Sequence, residues 1–409
     1  MLPLLLFLQV AAPQHDALRY DITLVPSDTG SHLLGEVETA WRLASADPVA
    51  VQLDSSMRVV RVLIDGRPNT RLSRTMYGRS EDDLVVPHQK RAGDSITTRV
   101  RFHGLARAGA RVTSNARGER VFAAVGEGDR ARFWLPVPLE TRFDRTAAWF
   151  RVQAPVAQRA IAPGVLEKVD TLPYGHAVWR YRMDAPAPLP SLAVASGPYQ
   201  VRSLMPGRCG DGCPRVEVWS YPAAAGESGG LEQAWEILEF LAERVGRYPY
   251  GRLAHVEAPV AAAVAAPGMV LHPEGSLAGN GPADSTIALA TARQWFGLAI
   301  SPAGPEDRWI TAGLARLLAE VWHDRSARGR TTPPVDSISE DARAAVAMHR
   351  LRRLAGDSAF FAGLRRFTSE RLNQTATRAD FVGAMSAATG RDIGRDLEQV
   401  FDPPRRRGE

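Results

Sequence analysis

The spacing of the apolar residues changes once along this chain, and that change constrains the fold more than any other feature. Through 15–203 apolar and polar side chains alternate, most regularly at 37–43 and 96–102. A period of two indicates half-buried strands of an antiparallel sheet. Proline and glycine cluster at 205–230, and beyond them apolar residues recur at helical spacing. The sequence therefore predicts an α+β fold with more than one domain.

The region after this change mixes helices with a strand. The segment 231–246 has helical spacing and a glycine to end it, 252–260 is strand-like, and a helix follows at 287–300. Asp284 or Ser285 could cap that last helix. Because strands and helices alternate here, we predict a mixed α/β domain.

The C-terminal part of the chain is predicted to be helical. A further helix begins near Thr311, and after a linker at 330–337 the remaining segments have helical spacing. One of them opens with a capping box, Thr377 to Asp380, and closes on Gly390.

These patterns divide the chain into four parts. The predicted parts are a signal-like segment (1–14), an N-terminal antiparallel β-sandwich or saddle domain (15–203), a mixed α/β domain (204–330) and a C-terminal helical part (331–409). Within the strand domain, 64–68 is predicted to be a turn and the proline-rich 184–191 a connection.

The N-terminal segment and the two cysteines indicate the cellular compartment in which we expect the protein. "MLPLLLFLQVAAPQ" is too short to span a bilayer and is typical of a secretory signal, although no Lys or Arg precedes it. Cys209 and Cys213 are separated by "GDG", which allows a tight turn, and two cysteines are too few for a zinc site. We expect a loop disulfide and a periplasmic or secreted protein without a transmembrane span in the mature chain.

The charge pattern does not favour nucleic acid as a partner. The formal net charge is +5, and the arginines are scattered among nearly as many acids. A basic patch would be needed for a polyanion-binding surface, and dispersed charges predict none.

The stretch 287–300, "IALATARQWFGLAI", is one of four segments that together resemble a known family. Together with "RYPYGRL" (247–253), "APGMVL" (266–271) and "WITAGLA" (309–315), it resembles the aminopeptidase N family of zinc metallopeptidases, of the gluzincin type. The resemblance extends over nearly the whole chain. It implies a thermolysin-like α/β domain after the strand domain, a zinc cofactor and peptidase activity.

The positions that carry the family's chemistry are substituted. In the family, H-E-x-x-H precedes Gln-Trp-Phe-Gly, with two zinc-binding histidines and a glutamate that activates water. By that resemblance the histidine positions are Leu289 and Arg293, the catalytic glutamate position is Ala290, and the third zinc ligand falls at Ala312.

Two further family positions are changed in the same way. The glutamate that holds the substrate's amino group corresponds to Ala265, and the tyrosine that stabilises the tetrahedral intermediate corresponds to Asp341. We therefore expect a catalytically inactive pseudo-peptidase without a cofactor, because leucine and alanine offer zinc no lone pair and Arg293 is a permanent cation. Its role would be binding or structural, with a peptide or a protein as partner.

Alternatives to this hypothesis remain open. A zinc peptidase could use substitute ligands from His255 with Glu257 or from His272 with Glu274. The two residues of each pair are two positions apart, so their side chains would lie on the same face of a strand. His323, Asp324 and Glu320 form a weaker candidate for a surface metal contact. The chain could also be a protein–protein module built on the strand domain. The sequence does not predict an oligomeric state.

Arg293 itself has two interpretations. It could bind a carboxylate or a peptide carbonyl from the floor of the cleft, or it could fill the cavity by pairing with an internal acid such as Glu320.

Overall fold

The computed structural model describes most of the chain. The described residues are 15–69, 82–138, 144–204, 213–222, 231, 233–277, 284–325 and 339–401. The signal-like segment, Cys209 and the linker at 330–337 lie outside them, so the disulfide with Cys213 stays a prediction.

The N-terminal part is built from strands. They are β1 (Asp16–Pro26), β2 (His32–Arg42), β3 (Val49–Gln52), β4 (Met57–Ile64), β5 (Arg67–Pro68), β6 (Asp83–Val86), β7 (Ser95–Leu105), β8 (Ala110–Ser114), β9 (Arg120–Val125), β10 (Val137–Pro138), β11 (Arg145–Pro155), β12 (Arg159–Ile161), β13 (Val165–Leu172), β14 (His176–Pro188) and β15 (Ala193–Gly197).

Three sheets use these strands. The largest has the order β13-β14-β11-β1-β2-β7-β4-β5, a second has β10-β3-β6, and a third has β12-β15-β9-β8. The alternation at 37–43 and 96–102 is confirmed, because β2 and β7 pair antiparallel with Val37 opposite Val100 and bury every second residue. The predicted turn at 64–68 joins β4 to β5.

The proline-rich segment 184–191 was predicted wrongly as a connection. Its first part continues β14, where Ala187 and Pro188 pair with Thr146 and Arg145 of β11. The other neighbour, β13, reaches β14 only as far as Arg182. Beyond that residue one side of β14 is an edge, where proline costs no ladder hydrogen bond.

The second part of the chain adds a sheet covered by helices. Its strands are β16 (Gln200–Leu204), β17 (Arg215–Ser220), β18 (Arg252–Ala258), β19 (Val264–Ala266), β20 (Met269–Pro273), β21 (Ile300–Pro302) and β22 (Gln374–Ala376). Its helices are α1 (Gln233–Val245), α2 (Asp284–Trp295), α3 (Arg308–Asp324), α4 (Glu340–Ala355), α5 (Asp357–Arg371), α6 (Arg378–Thr389) and α7 (Ile393–Phe401).

The sheet of the second part has the order β16-β17-β18-β20-β19, with β17, β18 and β20 parallel. β18 separates two cores: Ala254 and Val256 pack with the strand domain, whereas Leu253 packs with the helices. The predicted end of α1 is confirmed by Gly246 at φ +105°, and the capping box of Thr377 and Asp380 is present at α6. Among the helices of the described part, none combines the length and apolar character that a membrane crossing requires.

Candidate functional site

Gln294, the first residue of the Gln-Trp-Phe-Gly segment, attaches α2 to the sheet. Gln294 is fully buried, and its Oε1 accepts hydrogen bonds from the Gly268 backbone N–H at 2.9 Å and from the Tyr248 hydroxyl at 3.3 Å. Its Nε2 donates to the carbonyl oxygens of Ala266 and Met269 at 3.2 and 3.3 Å. One side chain thus satisfies backbone groups around the β19–β20 turn. Gln294 has a structural role that needs no metal.

The neighbouring motif residues have packing roles as well. The Trp295 indole N–H donates to the Arg247 carbonyl at 2.9 Å, and Phe296 is 1 % exposed. On α3, a Cβ added to Gly313 would lie 2.9 Å from the carbonyl carbon and oxygen of Ala344, so glycine allows α3 and α4 to approach closely. These positions preserve the geometry of the helices whether or not the site is chemically active.

The substituted positions face a common cavity. The main cavity, defined here by Ala265 of β19, Leu289 and Arg293 of α2, Ala312 of α3 and Asp341 of α4, has a volume of about 530 Å³. The structure therefore brings together five of the six positions that the resemblance singled out. Of the motif residues, Gln294 and Trp295 are buried in the protein, whereas Ala265, Leu289, Arg293, Ala312 and Asp341 line the cavity.

The sixth position, Ala290, lies beside a second space. The side cavity of about 410 Å³ is lined by Ala290, Glu320 and His323 and shares Leu289 and Arg293 with the main cavity. Ala290 is 5 % exposed. A methyl group at this position cannot accept a proton from water.

The donor set of the main cavity does not fit a zinc ion. A catalytic zinc takes three protein ligands from histidine, cysteine or carboxylate side chains and leaves a fourth position open. Leu289 and Ala312 provide no lone pair, and Arg293 provides a cation at the remaining position. Within the described ranges, no three His, Cys, Asp or Glu side chains come together as metal ligands.

Arg293 pairs with an acid from the other domain. Its Nη1 lies 3.8 Å from Oε1 of Glu127, which belongs to the loop after β9, and the two side chains are 37 % and 50 % exposed. The separation is that of an ion pair without a hydrogen bond. The hypothesis that Arg293 pairs with Glu320 is wrong in its partner.

Glu320 is held by two other residues. Its carboxylate accepts hydrogen bonds from Arg316 Nε at 3.0 Å and from the His349 ring at 2.9 Å. Burial raises the pKa of Glu320, but the bond to His349 and the charge of Arg316 outweigh it and lower the pKa overall. Glu320 remains ionised and is not available to Arg293.

Two further arginines shape the site, and sequence reasoning missed both. Arg308, the first residue of α3, lines the main cavity, and none of the described residues makes a hydrogen bond or ion pair with its side chain. Arg145 of β11 lies behind the cavity wall and donates to the Leu298 carbonyl at 2.9 Å and the Ser301 hydroxyl at 2.8 Å. Burial lowers the pKa of Arg145 to about 10. Leu298 and Ser301 themselves line the cavity.

The histidines proposed as substitute ligands bind each other. His255 Nδ1 and His272 Nε2 are 3.0 Å apart, and both side chains are fully buried. Burial lowers the pKa of His272 to about 4, and burial together with the His272 charge lowers that of His255 well below its usual value.

The acids beside these histidines have other partners. Glu257 accepts from the backbone N–H groups of Tyr221 and Gly275 at 2.7 and 3.0 Å, and Glu274 accepts from that of Ala116 at 2.7 Å. The two expected His–Glu pairs are therefore replaced by one His–His pair and two carboxylates that bind backbone. Neither arrangement presents converging metal ligands to solvent.

Solved structures share this architecture. An M1 zinc metallopeptidase from Deinococcus radiodurans matches with a TM-score of 0.77 and 20 % identity over 95 % of this chain and 93 % of its own. The chain has the fold of the M1 zinc metallopeptidases. A glutamate-to-alanine mutant of the Deinococcus radiodurans enzyme, bound to a Tyr-Ser-Ala substrate, matches with a TM-score of 0.76 and 20 % identity over 95 % of this chain and 94 % of its own.

A third structure agrees with these two. A two-domain M1 zinc metallopeptidase mutant bound to L-tryptophan matches with a TM-score of 0.75 and 19 % identity over 95 % of this chain and 94 % of its own. Neither a protein-family model nor a curated protein sequence matches the chain. The predicted α+β multidomain fold is confirmed.

Proposed function

We propose that this chain is a pseudo-peptidase, a protein with the M1 metallopeptidase fold that binds a peptide or protein segment in its cleft without hydrolysing it. One observation carries the proposal. The cavity positions that would hold zinc are Leu289, Arg293 and Ala312, and the position of the general base is Ala290.

The physical argument concerns what peptide hydrolysis requires. A zinc-bound water becomes a nucleophile near neutral pH only if the metal is held, and a base must take its proton. The three ligand positions offer no metal donor, and Ala290 offers no base. The cavity nevertheless remains open, which supports ligand binding as the retained property.

Turnover and binding of one peptide test this proposal together. Tyr-Ser-Ala, the peptide bound to the Deinococcus radiodurans mutant, is a suitable probe. We expect the purified wild type, supplied with zinc, to bind this peptide without releasing tyrosine. Release of tyrosine in proportion to protein concentration, unchanged by further purification, would refute the proposal.

We place the protein outside the cytoplasm as part of this proposal. The support is the signal-like segment 1–14 and the cysteine pair Cys209 and Cys213. Expression with the native N-terminus followed by cell fractionation and N-terminal sequencing tests it. Full-length protein in the cytoplasm would contradict it.

A second candidate function is a protein–protein module on the strand domain. β13 is an edge strand of the largest described sheet, and it exposes Val165 by 62 %, Leu166 by 38 % and Val169 by 41 %. Exposed apolar edges favour pairing with another chain. If this edge carries the function, the double variant Val165→Lys with Val169→Lys should abolish binding of a partner that the wild type captures. Arg293→Gln should leave that binding unchanged.

A further inference from the structure

We propose that the main cavity binds its ligand through a carboxylate group, held by the guanidinium groups of Arg308 and Arg293. This inference rests on the proposed function, because it names the chemistry of the ligand in the same cleft.

Arg308 is one of the two cations that we propose to bind the ligand carboxylate. It lines the main cavity, it is exposed, and its side chain has no hydrogen-bond or ion-pair partner among the described residues. A guanidinium group presents donors in a planar fork that matches a carboxylate. Arg308 is thus available to a ligand without breaking a contact with any of the described residues.

Arg293 is the other cation that binds the ligand carboxylate in this proposal. Its partner Glu127 is 3.8 Å away, and both side chains are at least one-third exposed. Exposed ion pairs of this kind contribute little stability. A ligand carboxylate can therefore take the place of Glu127 at a small cost.

Arg145 places a third, half-buried cation behind the cavity wall. Arg145 makes no ion pair within the described ranges, and carbonyl and hydroxyl oxygens alone accept its hydrogen bonds. Because Leu298 and Ser301 contact Arg145 and also line the cavity, its charge lies next to the ligand space. Electrostatic attraction across a partly apolar wall is stronger than in bulk water.

The acids in the cavity favour a singly charged ligand. Asp341 lines the cavity and has no partner within the described ranges, whereas Asp129 is paired with Arg132 at 3.0 Å. An unpaired carboxylate repels a doubly charged phosphate more than it repels a carboxylate. The apolar residues Leu289 and Phe296 also line the space and suit a ligand with a side chain.

Calorimetry with matched peptides tests the proposal. The probes are Tyr-Ser-Ala, its C-terminal amide, and N-acetyl-Tyr-Ser-Asp-amide, which carries its only carboxylate on a side chain. Inorganic phosphate serves as a competitor. The variants are Arg308→Gln and Arg293→Gln, with Arg353→Gln as the control, because Arg353 is exposed on α4 and does not line the cavity.

We expect Tyr-Ser-Ala to bind at least about tenfold more tightly than its amide, because the amide cannot form a charge-assisted hydrogen bond with a guanidinium group. Arg308→Gln and Arg293→Gln should each weaken binding by about tenfold, and Arg353→Gln by less than about twofold. If the aspartate peptide binds as tightly as Tyr-Ser-Ala, the site recognises acidic side chains. If it binds much more weakly, the site recognises a free C-terminus. Either result supports a carboxylate site.

Three results would overturn the inference. Equal affinities for the acid and the amide, or unchanged affinity in Arg308→Gln, would refute carboxylate recognition and leave the pseudo-peptidase proposal intact. Displacement of the peptide by an equal concentration of phosphate would show a general anion site instead. If neither form of the peptide binds, both proposals fail, and hydrolysis by the wild type would refute the proposed function separately.

Discussion

The replacement of Gln294 by leucine tests whether this side chain has a structural role. Gln294→Leu keeps the approximate volume of the side chain but removes its four hydrogen bonds around the β19–β20 turn. The Gly268 N–H, at 2.9 Å from Oε1, would be left buried without a partner, whereas the Tyr248 hydroxyl still reaches the Arg252 carbonyl at 3.2 Å.

The expected loss follows from those contacts. An unsatisfied buried donor costs about 1–3 kcal/mol, and each of the two longer bonds to carbonyl oxygens contributes about 1 kcal/mol or less. We therefore expect the free energy of unfolding to fall by about 3 kcal/mol, measured by urea denaturation followed by tryptophan fluorescence.

A matched control separates this effect from a general loss of glutamine. Gln374 is exposed in β22, so Gln374→Leu should change the free energy of unfolding by less than about 0.5 kcal/mol. If Gln294→Leu is no more destabilising than Gln374→Leu, the structural interpretation of the motif is wrong.

Two further predictions concern close packing and pH. Gly313→Ala should lower the free energy of unfolding by about 1–3 kcal/mol, because the new Cβ would lie 2.9 Å from Ala344 backbone atoms. The control is Gly383→Ala, which should not destabilise the protein, because its Cβ would meet no atom within 4 Å. The buried pair His255 and His272 stays neutral in the folded protein while unfolded histidines take up protons below about pH 6.5. Stability should therefore be level above about pH 7 and fall by up to about 1.4 kcal/mol per pH unit per histidine as the pH drops toward about 4. The double variant His255→Leu with His272→Leu should show a shallower fall, and an unchanged slope would contradict this assignment.

The sequence was sufficient for strand β7, for helix α1 and for the position of the cleft. Alternation at 96–102 and helical spacing at 231–246 reflect burial on one face, so both patterns match the observed strand β7 and helix α1. The cavity positions could be located because the spacing from Arg293 to Ala312 follows the family pattern without a gap.

The contacts of the site could not be predicted in the same way. Glu127 reaches Arg293 from a loop of the other domain, and no local pattern encodes a pair so distant in sequence. The pairing of His255 with His272 depends on the order of β18 and β20 in the sheet. The continuation of β14 through two prolines depends on where its neighbour β13 ends.

The metal content of the purified protein tests the central claim most directly. It should be measured by elemental analysis of unchelated wild type beside a variant with Leu289→His, Ala290→Glu, Arg293→His and Ala312→Glu. The three ligand positions of the variant face one cavity, so its new side chains can converge on a single ion. The account predicts about one zinc per chain in the variant and far less than one in the wild type. About one zinc per wild-type chain would contradict it.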